Sequence, residues 1–323
     1  MVSTAAAASS TAPDRTAGEQ AVRQRIEPQA KDLMALARPA ALLPSWARSI
    51  RANQAGGYLS ALKGRGMEYD ESRPYQAGDD FRTLDWRVTA RTGKPHTKVF
   101  REERERPVYI CSDFSPSMFF ATRGVFKSVQ AARAAALIAW KAQQSGDRVG
   151  GLVFSANTHH ELPPEGGKPA VIRLVKKLVE AGELPAARAE PPWPNSLPKA
   201  VARLRRMAKP GSLIFILSDF RDADEACESD IAALARHNDV TMVFVFDPFE
   251  AALPDNHASG RVTDGAGELQ ITLGVDRSSR EYAANFTARH ERIAKLCRDY
   301  RILFTKLATT DEPLGVLQRV LGR

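Results

Sequence analysis

The chain predicts an α/β fold: a doubly wound, mostly parallel sheet, preceded by a small β-rich N-terminal segment. Three observations carry this. Beyond residue 107 short apolar runs alternate with amphipathic stretches of helical length, the pattern of strands joined by crossover helices. The runs LIFILS (213–218) and VTMVFVF (240–246) are continuously apolar, as expected of parallel strands covered on both faces. Two of the runs lead directly into an aspartate, Asp113 and Asp219. In such sheets ligands gather in the crevice beyond the carboxyl ends of the strands.

Residues 1 to about 18 are rich in Ala, Ser and Thr, offer little to bury, and read as a disordered tail without the basic start and leucine-rich core of a signal peptide. Residues 19–41 carry Val22, Ile26, Leu33, Leu36 and Ala37 on one helical face, with Pro28 and Pro39 predicted to break it. Residues 42–106 form the β-rich segment, with recurrent glycines and tyrosines and short strands expected at 67–69 and 96–100. Residues 107–323 form the main α/β domain. Strands are expected at 108–113, 148–154, 213–218, 240–246 and 301–306, with an antiparallel edge at 158–162. Helices are expected at 125–144, 169–181, 197–208, 224–237, 280–298 and 313–321, with a hairpin within 259–274.

The bulk composition narrows the classes. With 43% hydrophobic and 26% charged residues the chain is globular. Its net charge of +8 arises from 46 basic against 38 acidic residues, so positive charges have negative neighbours. That favours a mixed solvated surface over a polyanion-binding one. Cys111, Cys227 and Cys297 are odd in number and form no C-x-x-C pair, which argues against a disulfide framework or thiolate zinc and for reduced core thiols in the cytoplasm. No stretch approaches the roughly 20 apolar residues of a membrane helix.

The chemistry concentrates at Asp113-x-Ser115-x-Ser117, just past the first strand of the main domain. A carboxylate and two hydroxyls at alternate positions of a turning loop converge on one hard cation, magnesium first and manganese second. Asp219 follows the run 213–218 at an equivalent place, and adjacent strands would put both acids on one sheet edge. With neutral hydroxyls completing the set, the metal stays electron-poor and accepts a carboxylate from outside, which is binding rather than catalysis.

Asp113-x-Ser115-x-Ser117 with Ser218-Asp219 resembles the metal-ion-dependent adhesion site of von Willebrand factor A domains, a Rossmann-type fold. The resemblance implies a further loop ligand, normally threonine. Asn195 stands in the threonine's place by register, with Ser196 beside it. Upstream, Gly64-Arg65-Gly66-Met67-Glu68-Tyr69, Arg73-Pro74-Tyr75-Gln76-Ala77-Gly78-Asp79-Asp80 and Leu84-Asp85-Trp86-Arg87-Val88-Thr89-Ala90-Arg91 resemble the signature of domain-of-unknown-function family number fifty-eight. That family is bacterial, and the resemblance implies a MoxR-type AAA+ ATPase as partner, or a client protein offering an Asp or Glu, in assembly or maturation. Arg82, Arg87 and Arg91 are candidate partner-binding residues; the acids near them and near Arg73 are expected to form a paired network.

Enzyme fingerprints are absent: there is no G-x-S-x-G, and Glu165-Gly166-Gly167-Lys168 lacks P-loop spacing. His159 and His160 alternate across a strand and make a poor chelate. Nucleic-acid binding through Arg203, Arg205, Arg206 and Lys209, or through Arg82, Arg87, Arg91 and Lys94, is the alternative from another class, with no recognised motif behind it.

Overall fold

The computed structural model describes residues 13–46, 67–76, 79–102, 106–184, 196–251, 259–263, 268–272 and 277–322. The chain forms two compact units, one of residues 1–45 and 106–323, the other of residues 46–105.

The N-terminal helices belong to the larger unit. Helix α1 (Pro13–Ile26) is followed by α2 (Ala30–Ala35) and α3 (Ala37–Ala40). The break falls around Pro28, which lacks an N–H and clashes with a preceding turn. Helix starts at Pro13 rather than after the tail expected to reach residue 18; proline is well suited to a first helical turn. Nor do residues 19–41 stand apart as a separate segment. Leu33 is buried, its carbonyl accepts the Trp140 indole N–H at 3.1 Å, and the Arg25 carbonyl accepts the Phe126 N–H at 2.8 Å.

In the smaller unit, strand β1 (Met67–Pro74) pairs antiparallel with β2 (His96–Glu102), from Met67↔Glu102 to Pro74↔His96. Between them lies α4 (Trp86–Thr92), a helix that the reading of residues 42–106 as a β-rich segment did not place. Its seven residues are too few to show helical periodicity, and its ends are set locally. The Asp85 carboxylate accepts the Arg87 and Val88 N–H groups at 3.1 Å, and Gly93, with φ 71°, closes the helix. Asp85 also accepts the Ser72 hydroxyl at 2.7 Å, so one acid ties β1 to α4.

The larger unit then runs β3 (Pro107–Phe114), α5 (Lys127–Gln144), β4 (Arg148–Ser155), β5 (His159–Glu165), α6 (Gly167–Ala181), α7 (Ser196–Met207), β6 (Leu213–Ser218), α8 (Glu225–Ala235), β7 (Asp239–Phe246), α9 (Pro248–Ala251), the antiparallel pair β8 (Ser259–Thr263) and β9 (Glu268–Thr272), α10 (Arg277–Asp299), β10 (Leu303–Ala308) and α11 (Pro313–Leu321). Six strands form one sheet in the order β10-β7-β6-β3-β4-β5, parallel except that β5 runs antiparallel to β4.

Tyr109 and Cys111 of β3, Ile214 and Ile216 of β6, and Met242 and Phe244 of β7 pack in one core with residues of α7, α8 and α10. Alternate residues face the other way, where Ala-rich α5 crosses the sheet. Its alanines let a helix lie close against strands, which is why this helix is apolar nearly all round. Cys111, Cys227 and Cys297 are free and buried. Among the described residues no helix is long and apolar enough to cross a membrane.

The strand order fixes where the site lies. From β3 the chain winds outward through β4 and β5, then returns to β6 on the opposite side of β3. The direction of winding reverses between β3 and β6, and a crevice opens there at the carboxyl ends.

Candidate metal centre

β3 and β6 are paired from Val108↔Leu213 to Ser112↔Leu217, so one further step sets Asp113 against Ser218. The Ser218 hydroxyl donates to Asp113 Oδ2. Beyond the strands both chains turn on their own aspartates: Ser115 N–H donates to Asp113 Oδ1 at 2.8 Å, and Arg221 N–H to Asp219 Oδ1 at 3.1 Å. Ser115 Oγ and Ser117 Oγ lie 3.4 Å apart, and the Ser117 hydroxyl helps to hold the Asp219 carboxylate in its charged form. Asp113, Ser115, Ser117 and Asp219 therefore form one connected set of oxygen donors. Asp113, Ser115 and Asp219 are buried.

The turn after β6 is strained. Phe220, fully buried, has φ 52°, a left-handed conformation unfavourable for a bulky residue. Its N–H donates to Ser218 Oγ at 2.9 Å. Such strain collects at functional sites when the surroundings enforce it.

Ser196 opens α7 and is buried, without a hydrogen bond to either acid. Asn195 lies outside the described residues. Among the described residues no group of three or more His, Cys, Asp or Glu side chains is arranged to hold a metal. The oxygen set here combines two carboxylates with hydroxyls, a hard donor set suited to magnesium. His159 and His160 sit on the edge strand β5 beside Glu161, which pairs with Arg203 at 3.1 Å.

Sequence reasoning missed the ammonium at this site. Lys127, in the first turn of α5 and 1% exposed, donates to Asp219 Oδ2 at 2.9 Å and to Glu250 Oε1 and Oε2 at 3.0 and 3.2 Å. Glu250, on α9, also accepts the Asp247 N–H at 2.9 Å. Asp247 is held by the Thr122 hydroxyl at 2.6 Å and the Thr309 hydroxyl at 2.7 Å. Asp247 follows β7 just as Asp219 follows β6, so a third apolar run ending in an acid was visible in the sequence. Lys127 and Glu250 carried no such signal.

The electrostatics divide the two acids. Burial, then the Asp219 charge, pushes the Asp113 carboxyl up to about 7, against the hydrogen bonds from Ser218 and Ser115. Burial works against the Asp219 carboxylate too, but Lys127 and then Arg289 outweigh it and hold Asp219 well below the usual range. Burial likewise opposes the Lys127 ammonium, and Asp219 and Glu250 together keep it above the ordinary lysine value. Asp113, Asp219, Asp247 and Glu250 are all buried at this end of the sheet, against one buried ammonium, Lys127. The excess is negative. Asp113 and Asp247 have no cationic partner among the described residues; Asp247 is held by hydroxyls and backbone N–H groups, and only Asp113 lies in the oxygen set between β3 and β6.

The other candidates are surface residues. Arg82, Arg87 and Arg91 are exposed, and among the described residues they form no ion pair. Among the described residues the expected network reduces to Arg73–Asp79 at 2.7 Å, because Asp80 and Asp85 spend their carboxylates on backbone N–H groups. The basic cluster of α7 is partly neutralised, Arg203 by Glu161 and Arg205 by Asp230, each at 3.1 Å.

Residues 71–294 match the family model described as "Protein of unknown function DUF58". An uncharacterized protein of Mycobacterium bovis is 32% identical over 237 residues, covering 73% of this chain and 72% of that protein. Uncharacterized proteins from two strains of Mycobacterium tuberculosis match to the same extent. Among solved structures, the crystal structure of a conserved hypothetical protein, BatB, from Bacteroides thetaiotaomicron aligns with a TM-score of 0.43 and 16% identity, covering 67% of this chain and 97% of that chain. The family model spans well over half of the chain, including the strands and turns that carry Asp113 and Asp219, and the chain belongs to the DUF58 family.

Proposed function

We propose that this protein is a non-enzymatic, metal-dependent protein-binding module of the von Willebrand factor A type. The observation that carries this is the connected set Asp113, Ser115, Ser117 and Asp219 in the crevice between β3 and β6. Asp113 is the acid best placed to ligate directly, since it is buried without a cationic partner. Asp219 already serves Lys127 and the Arg221 N–H, and a carboxylate has roughly four lone-pair sites, so it retains capacity toward a metal or its water. When bound, magnesium or manganese supplies a Lewis-acidic position that a carboxylate from a partner protein completes. In this reading the residues of this chain bind and orient. The partner in this reading is a MoxR-type AAA+ ATPase, or a client protein that offers an Asp or Glu.

The test is co-purification with a MoxR-type AAA+ ATPase, in magnesium and in chelator. Complex formation is expected to need the divalent ion and to be lost in Asp113→Ala and in the double variant Ser115→Ala/Ser117→Ala. Undiminished binding by folded Asp113→Ala removes the metal site as the ATPase-docking surface. A second measurement addresses the loop donor. Asn195→Thr is expected to preserve or tighten magnesium binding and Asn195→Leu to weaken it, read by calorimetry. Equal affinities across wild type and both variants would place the loop away from the metal, leaving Ser196 as the residue to test.

A further inference from the structure

A cavity of about 380 Å³ adjoins the Asp219 side of this edge, lined by Arg221, Asn285, Phe286, Ala288, Arg289 and Arg292. That volume corresponds to on the order of ten water molecules at liquid density. Among the described residues that line it, three side chains are cationic and none is acidic. We propose that this pocket is an oxyanion-binding site, in which Arg221 and Arg289 take the carboxylate or phosphate group of a ligand from outside the chain.

The argument rests on how unevenly these arginines are satisfied. Arg292 is occupied: Nε meets Glu228 at 2.9 Å and Nη2 donates to the Ala223 carbonyl. Arg106, the buried arginine at the opposite end of the sheet, leaves Nη1 unpartnered but has Asp239 and the carbonyls of Gly211 and Ser212. Arg289 has neither. Its guanidinium lies 5.5 Å from the Phe286 ring centroid and 5.8 Å from that of Phe244, its Nε is buried without a hydrogen-bond partner, and among the described residues no carboxylate pairs with it. The two rings hold the group in place, but a buried donor is left unsatisfied, which is costly. An oxyanion in the cavity would offset that cost through charge-assisted hydrogen bonds.

Arg221 supplies the second cation. Its backbone N–H is held by Asp219, its side chain is exposed and lines the same cavity, and it too has no acidic partner among the described residues. The guanidinium fork suits a planar carboxylate or a tetrahedral phosphate equally. Asn285 adds an amide to the rim. The site is separate from the metal set in its donors: the metal set offers oxygens to a cation, whereas this pocket offers nitrogens to an anion. An acidic protein segment with two carboxylates could span both.

The experiment titrates the full chain in chelator with two probes, inorganic phosphate and an acetylated hexaglutamate peptide, by calorimetry at low salt. Binding of at least one probe is expected, weakened tenfold or more in both Arg221→Gln and Arg289→Gln. Arg221 is exposed, so its variant tests the site even if Arg289→Gln perturbs packing against Phe244 and Phe286. Phosphate binding without peptide binding assigns the site to a small anion; arginine-dependent peptide binding assigns it to an acidic protein segment. No binding of either probe, or equal binding by Arg221→Gln and wild type, overturns the proposal. Because every arm is run in chelator, the outcome is independent of whether Asp113 holds a metal.

Discussion

Replacing Lys127 with Met is expected to lower the unfolding free energy by about 3–5 kcal/mol, the usual cost of removing one partner from a buried ion pair. Lys127 is the only cation within hydrogen-bond reach of Asp219 and Glu250 among the described residues, and all three are at most 3% exposed. Methionine fills much of the same volume, so the loss measures charge rather than packing. The pH dependence separates the two. In the wild type the depressed Asp219 contributes stability that is present above its unfolded value and lost only in acid. Without Lys127 that contribution disappears, so the deficit of the variant should be large at pH 8 and shrink toward pH 4, where the stranded acids take protons. Urea unfolding at the two pH values reads this directly. A deficit below about 1 kcal/mol at pH 8 would mean that Lys127 does not neutralise the cluster.

Magnesium at a hundred times its dissociation constant is expected to stabilise the wild type by about 2.7 kcal/mol and to do nothing for Asp113→Ala. For a domain of this size that is a rise in melting temperature of about 5–10 °C. The response should fade in acid. The Asp113 carboxyl lies at about 7, raised by burial and by the Asp219 charge, so its bound proton stabilises the metal-free fold fully below the unfolded value of about 3.9, and that stabilisation is lost as pH rises through 7. A metal must displace that proton, so the magnesium shift should be small at pH 5.5 and full at pH 8. Absence of any magnesium or manganese shift at pH 8 would end the metal-site reading.

Much of the larger unit was legible because its elements announce themselves locally. The runs 213–218 and 240–246 are apolar without interruption, and the strands fall at Leu213–Ser218 and Asp239–Phe246. The edge at 158–162 alternates, and β5 forms there, antiparallel to β4. Helix α4 was missed because its seven residues are defined by one cap at Asp85 and one left-handed glycine at Gly93, not by periodicity. Helix α9, four residues long, is likewise too short to show periodicity, and Glu250 was missed with it.

At the site, the sequence by itself determined which residues carry oxygen: Asp113, Ser115, Ser117 and Asp219, each placed just past an apolar run. Their chemistry needs only local order, because a strand that ends in Asp presents it at the sheet edge. Only the tertiary structure decided how these acids are charged. Lys127 precedes Asp219 by 92 residues and Glu250 follows Lys127 by 123, and Arg289 reaches the same edge from α10. In the sequence Lys127 is one lysine among 46 basic residues, with nothing to mark it as buried. Charge interactions act through space and strengthen where water is excluded, so their outcome depends on which helices close over the sheet, and pairwise spacing along the chain does not encode that.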